Sequence, residues 1–285
     1  MEWESDSSML KTVLVALDES PYSDTATTLA LEWGARFGAR LLGLGILDKP
    51  SITAPEPIPL GASGFKKDRD EARLADAQER VTRFLSKFQK RCAAAGVSAE
   101  SFEDIGDPTK CILRHAHRCD VIILGYETHF HFETQDAPDT VRAKVLRRSP
   151  RPIVVVPREL PAGTGVVVAY GGGREVARTL QTFQLLGLSA GETVHLLIVR
   201  RDDDDKAEAA NFAAEFLRSH GTQCKVHVVH SPLEPAEVLL EQVQILQPRL
   251  VVMGAHAHHP LRDLFFTSVT RAVLQACPVP VLIGA

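Results

Sequence analysis

The sequence predicts an α/β fold in two tandem copies, each a parallel sheet with helices on both faces. Three observations predict it. The two halves of the 285-residue chain repeat one another. Within each half, short apolar runs alternate with amphipathic helical patterns, as parallel strands joined by right-handed crossovers require. The apolar runs are near-continuous Val, Ile and Leu, which suits strands buried on both sides. Length agrees, since domains run to about 100–200 residues.

The first half justifies its elements in order. "TVLVAL" reads as a buried strand. The helix after it carries Ala26, Leu29, Ala30, Trp33 and Phe37 at steps of three and four. Ser20 suits its cap and Pro21 its first position. "ARLLGLGIL" is the second strand, and the proline-rich "DKPSITAPEPIPLGASG" is expected to hold no regular structure. A long helix follows, with Leu74, Val81, Phe84, Leu85 and Phe88 as its stripe. "GVSAESFED" is a third strand, followed by a short helix after Pro108. "DVIILG", a helix from about Thr140 and "PIVVV" complete the half.

The second half repeats this order without the proline-rich insertion. Its second helix is expected from about Asp203 to His220. "DTVRAKVLRRSPRPIVVVP" aligns with "TSVTRAVLQACPVPVLIGA". Thr140 then falls on Ser268, Val141 on Val269, and Pro150 and Pro152 on Pro278 and Pro280. The strands "DVIILG" and "LVVMG" end alike, at Gly125 and Gly254. The seam lies in "PRELPAGTG", which divides the chain into domains at 1–158 and 159–285.

Bulk properties narrow the function. A net charge of −4 argues against a nucleic-acid partner. No signal peptide opens the chain, and no apolar run approaches the ~18 residues of a membrane span, so the expectation is a cytoplasmic protein. The five cysteines are odd in number and show no C-x-x-C, so neither a disulfide framework nor a zinc knuckle is indicated.

The element order, the strand–Gly–loop–hydroxyl–Val–helix pattern and the "P-x-P" ending resemble the universal stress protein family. "VLVALDESPYSDTA" is similar to that family's opening strand and turn. The resemblance covers both halves, as in a tandem member. It implies Rossmann-like domains, each a five-stranded parallel sheet in the order 3-2-1-4-5, and ATP at the carboxyl ends of the strands where the order reverses. The family signature is G-x-x-G, nine residues, then G-[S/T], with an aspartate after the first strand reading the nucleoside. Glycines let backbone approach phosphate, and the hydroxyl opens a helix whose free N–H groups favour an anion.

Carried over by residue, the resemblance implies a ligand site at Asp18, Gly125, Thr140 and Val141 in the first half. In the second it implies Gly254, Ala257, Thr267, Ser268 and Val269. Thr128 stands for the second glycine of the first half, and Asp139, a carboxylate that would repel phosphate, for the third. Ala257 and Thr267 replace those glycines in the second half, and Gly171 stands where Asp18 stands in the first. "GGG" from Gly171 to Gly173 opens space for an anion nest.

Histidines cluster after both signature strands: His129 and His131, then His256, His258 and His259. Phosphate contact aided by Arg262, a transition-metal site completed by Glu133, and solvated loops all fit, and H-x-H does not decide among them. No metal site is assigned. The four aspartates from Asp202 to Asp205 suit a helix N-terminus. No G-x-S-x-G elbow and no nucleophile–base pair occurs, so no catalytic residue is assigned.

Two functions follow. One is a regulatory, non-enzymatic stress-response module that binds ATP, with Mg²⁺, through degenerate phosphate loops, with at most slow ATP hydrolysis. The other is a scaffold or signalling partner with vestigial sites that binds proteins. Clefts that fold open favour the first; clefts filled by side chains favour the second. The halves are expected to pair through "PIVVV" and "PVLIG" as an intramolecular pseudo-dimer, with a homodimer of whole chains as a further step.

Overall fold

The computed structural model describes residues 9–57, 59, 63–132, 140–200, 206–254 and 268–284. The chain forms two compact units, one spanning Thr12–Pro150 and the other beginning at Arg151 and taking in residues 9–11.

The unit Thr12–Pro150 runs β1 (Thr12–Leu17), α1 (Pro21–Phe37), β2 (Arg40–Leu47), α2 (Lys49–Ile52), α3 (Ser63–Ala94), β3 (Ala99–Ile105), α4 (Pro108–Ala116), β4 (Val121–Gly125) and α5 (Val141–Arg148). Its strands are parallel in the order β3-β2-β1-β4. The reversal of direction after β3 sends right-handed crossovers to opposite faces. Accordingly α1 and α3 share one face, joined by Lys87 and Arg91 of α3 to Asp24 of α1, while α4 packs on α5. Glycines seat α3 on β2. A Cβ on Gly43 would stand 2.6 Å from the Phe88 ring, and one on Gly45 would stand 2.9 Å from Val81 and Phe84.

The proline-rich stretch corrects one expectation, because it contains α2. The Asp48 side chain caps this single turn by accepting from the Ser51 N–H at 3.2 Å. Pro50 sits in the first turn, where a missing N–H costs nothing.

The second unit runs β5 (Ile153–Val156), β6 (Val166–Ala169), α6 (Arg174–Leu185), β7 (Thr193–Arg200), α7 (Lys206–Ser219), β8 (Gln223–His230), α8 (Pro235–Leu246), β9 (Leu250–Gly254), α9 (Ser268–Ala276) and β10 (Val281–Gly284). Its order is β5-β10-β9-β6-β7-β8. Read from β8, this is the third, second, first, fourth and fifth strand of the second half, all parallel. β5, the last strand of the first half, joins as an antiparallel neighbour of β10, with Val155 opposite Val281 and Ile153 opposite Ile283. Pairing the two last strands leaves neither with an open edge at that seam.

The strands carry the core: Val13, Leu14 and Val15 of β1 and Val166, Val167 and Val168 of β6 are buried, as expected of two-sided sheets. All five cysteines are free. Among the described residues, no helix is long and apolar enough to cross a membrane.

Candidate functional site

The carboxyl ends of β1, β2 and β4 meet where the strand order reverses, the usual ligand position in a doubly wound sheet. Asp18 follows β1 directly and is only 7% exposed. Both of its oxygens are engaged. The Ser20 N–H and hydroxyl donate to Oδ1 at 2.9 and 2.5 Å, and the His129 N–H donates to Oδ2 at 2.7 Å. Burial pushes the Asp18 carboxyl up, against the pull of these bonds. The first turn of α1 closes the arrangement, because Ser20 is the N-cap and the Ser23 hydroxyl accepts from the Asp18 N–H at 3.1 Å.

Asp48 follows β2 as Asp18 follows β1. It is 2% exposed, and its Oδ2 lies 2.5 Å from His131 Nδ1. The segment 126–132 after β4 is therefore tied to two strand ends at once. Phe130, between the two ties, is 1% exposed. Phe132 takes a left-handed backbone, φ 48°, and packs on Leu47, Ile52 and Ala77. Arg80 of α3 stacks over its ring, 5.2 Å from the centroid, while pairing with Glu19 at 2.6 Å. Segment 126–132 thus covers the ends of β1 and β2 with the protein's own backbone and side chains. Thr128, in place of a signature glycine, is buried with its hydroxyl unpartnered among the described residues.

Gly125 ends β4, and its missing side chain has a packing cause. A Cβ there would stand 2.5 Å from Tyr22 Cβ on α1 and 2.7 Å from the Glu127 carbonyl oxygen. Thr140 is exposed at the start of α5 and makes no side-chain cap, while Val141 is buried in the core. Arg142, in the first turn of α5, donates to the Tyr126 carbonyl and stacks on that ring at 4.3 Å.

The corresponding place in the second half differs. Gly171 follows β6 after the buried Tyr170, and no described residue lies within 4 Å of where its Cβ would stand. Gly172 takes φ 76°, a left-handed conformation that glycine adopts without cost. Gly173 is the N-cap of α6 and supplies no side-chain cap, so the first N–H groups of that helix have no side-chain partner from it. Gly254 is again a packing glycine: its Cβ would stand 2.9 Å from the Val176 nitrogen of α6. Its neighbour Gly284 plays the same part against Thr179.

Ser268 opens α9 and Val269 is half-buried behind it. Ala257 and Thr267, with His256, His258, His259 and Arg262, lie outside the described residues. So do Glu133, Asp139 and the aspartates 202–205.

The structure therefore brings Asp18 and the segment following Gly125 together, through the backbone of His129. Of the first-loop histidines, His131 meets Asp48, whereas His129 is exposed and contributes its backbone N–H to Asp18. Sequence reasoning missed Asp48. Its signal is the shared ending of the first two strands, "ALD" and "ILD", which places an acid at each strand's carboxyl end. Elsewhere, His195 Nδ1 lies 2.9 Å from His227 Nε2 across β7 and β8, and burial lowers the pKa of both rings. Among the described residues, no group of three His, Cys, Asp or Glu could hold a metal ion.

Comparison with known proteins agrees with the repeat. The model of the universal stress protein family matches residues 9–157 and 188–283. A universal stress protein of Synechocystis sp. is 24% identical over 96% of this chain and 99% of its own length. The crystal structure of a universal stress protein from Archaeoglobus fulgidus superposes with a TM-score of 0.69 at 20% identity, covering 96% of this chain and 95% of that one. A functionally unknown protein from Pseudomonas aeruginosa PAO1 gives 0.62 at 16% identity over 98% and 94%. The family match takes in both halves, and the stretch it leaves out, between 157 and 188, holds the Gly171 turn where the first half has Asp18. The chain belongs to the universal stress protein family, as a tandem member with two copies of its fold.

Proposed function

We propose that the chain is a regulatory module whose ligand capacity lies in its second half, where an adenine nucleotide is held beside the Gly171–Gly173 turn and the start of α9. The observation that carries this reading is the contrast at the ends of β1 and β6. The residues of the first half do not fit a nucleotide, because the oxygens of Asp18 are taken and segment 126–132 lies across β1 and β2. No binding step is derived there. In the second half, the glycine backbone at Gly171, clear of other described residues, and the start of α6, to which Gly173 offers no side-chain cap, fit an anion. Ser268, at the start of α9, would add N–H groups directed at phosphate, and Mg²⁺ would enter with the nucleotide. The halves act as an intramolecular pseudo-dimer, which the β5–β10 pairing supports. No catalytic role is assigned.

Calorimetric titration with ATP and Mg²⁺ tests this reading. Saturable heat is expected from the intact chain and from Thr140→Asp. Ser268→Asp, which places a carboxylate where the phosphates would lie, should weaken binding about tenfold or more. Heat lost in Thr140→Asp instead would move the ligand to the first half. No heat with any of the three favours the second reading, a scaffold that binds proteins, which the tying of segment 126–132 to the ends of β1 and β2 supports.

A further inference from the structure

The repeat reverses charge along one pair of equivalent helices. α4 and α8 each open on a proline, Pro108 and Pro235. Counted from there, Lys110 falls on Glu237, Leu113 on Leu240 and Arg114 on Glu241. The charged members of both sets are exposed, and the two leucines are half-buried. Residues three and four apart share one helix face. Each helix therefore carries a leucine flanked by charge, cationic on α4 and acidic on α8.

On α8 this face lines a groove of about 490 Å³, made by Leu233, Glu237, Leu240, Glu241 and Gln244 with Ala276 at the end of α9. Among the described residues, two acids and no cation line it, and neither Gly171 nor Ser268 takes part. Glu237 accepts the Glu234 N–H at 3.1 Å, and the Glu241 side chain has no hydrogen bond or ion pair among the described residues. Leu233 is 41% exposed, and Ile245, one turn beyond Glu241, is 69% exposed.

The first-half counterpart is basic. α4 packs on α5, whose outer face adds the exposed Lys144 and Arg148, one turn apart. The acids near α4 are engaged: Asp104 pairs with Arg114 and His115, and Asp107 caps the helix by accepting the Lys110 N–H at 2.9 Å. Among the described residues, the side chains of Lys110, Lys144 and Arg148 have no hydrogen bond or ion pair.

We infer that the groove between α8 and α9 is a docking site for a second copy of this chain, which enters with the basic outer face of its α4–α5 pair. Both halves of the contact are on the page, since equivalent helices of one chain carry opposite charge on the same face. The cations of one copy face Glu237 and Glu241 of the other, and their aliphatic stems lie over Leu233 and Leu240. Each copy presents a groove and a basic face, so the contact joins unlike surfaces. Exposed ion pairs are individually weak, so the association is weak and salt-sensitive.

Sedimentation velocity on the full chain tests the contact. Self-association is expected at about 100 μM protein in about 20 mM salt, and about 0.5 M salt should weaken it roughly tenfold or more. Glu241→Arg and Arg148→Glu should each weaken it about tenfold, because a reversed charge adds repulsion to the lost attraction. Neither should move the thermal melt, since neither side chain holds another described residue. Mixing the two variants should restore association, because one keeps the basic face and the other keeps the acidic groove. Ser268→Asp should associate as the parent does, which separates this surface from the nucleotide proposed in the second half. A chain that stays monomeric at about 100 μM in low salt overturns the inference. So does association that survives about 0.5 M salt undiminished, equal association in Glu241→Arg, or a mixture that associates no better than either variant alone.

Discussion

The ends of β1 and β6 occupy the same place in the repeat and have opposite surroundings. At β1, Asp18 is buried under its own hydrogen bonds and the segment from Tyr126 to Phe132 lies across the strand ends. At β6, no described residue lies within 4 Å of where a Cβ on Gly171 would stand. The two copies share a sheet order but differ in what surrounds its reversal point. A carboxylate that accepts three donors from its own chain satisfies a buried polar group and ties a loop down in the same step. The loop's aromatic residues then supply the apolar burial that a bound ring would otherwise supply. A place suited to holding a ligand is also suited to holding a piece of the protein, because both demand polar satisfaction and apolar contact.

The strongest way to break the comparison is to remove the filling. Phe130→Ala should destabilise the first unit by about 3–5 kcal/mol, the usual cost of emptying a buried Phe site. Urea unfolding measures it. A loss below about 1 kcal/mol would show that the segment is only draped over the strand ends and that the first cleft opens easily.

The signature glycines sharpen the comparison at a smaller scale. Gly125→Ala and Gly254→Ala each drive a methyl group into a neighbouring helix start, at 2.5 and 2.9 Å. Each should cost about 1–3 kcal/mol by overpacking, with Gly125→Ala the larger. Differential scanning calorimetry reads both. If Gly254→Ala leaves the melt untouched and abolishes nucleotide heat, that glycine serves the ligand and not α6.

Much of this was legible in the sequence, for physical reasons. Continuous apolar runs and near-period-4 stripes are set by which faces are buried, so the strands and helices followed from Val, Ile and Leu runs and from stripes such as Val81, Leu85 and Phe88. The pairing of the two last strands was implied by the resemblance to single-domain family members, whose separate subunits pair there, and β5 and β10 do pair. The short helix Lys49–Ile52 was not expected, because a proline count does not reveal that Asp48 caps the turn and that Pro50 falls inside its first turn. The site was harder. Asp18 was placed correctly after β1, but its partner is the backbone N–H of His129, which no residue pattern announces. Gly125 and Gly254 match a ligand signature and also fit helix packing, and only three-dimensional distances show the second role. Asp48 with His131 is a contact between distant segments, and the sequence marks only one end of it.

The smallest effect tests the state of the Asp18 carboxyl itself. Asp18→Asn keeps one carbonyl oxygen but turns an NH₂ toward one of the present donors, Ser20 or His129. The unsatisfied contact is worth about 1–3 kcal/mol, offset in part by the relief of a buried charge, so a net loss of about 1 kcal/mol is expected near neutral pH. The sign with pH follows from burial. Because the folded carboxyl is pushed above its ordinary value, the native state holds a proton that the unfolded state has released throughout the interval between the two. Stability contributed by Asp18 is therefore greatest on the acid side of that interval and falls as pH rises through it. Asp18→Asn lacks the transition, so the gap between parent and variant in urea unfolding should be widest at acid pH and narrow toward neutral. A gap that widens with rising pH would mean that the donors of Ser20 and His129 outweigh burial and hold an ionised carboxylate. Asp18 would then be a charged acceptor that a ribose could compete for, and the first half would return as a candidate nucleotide site.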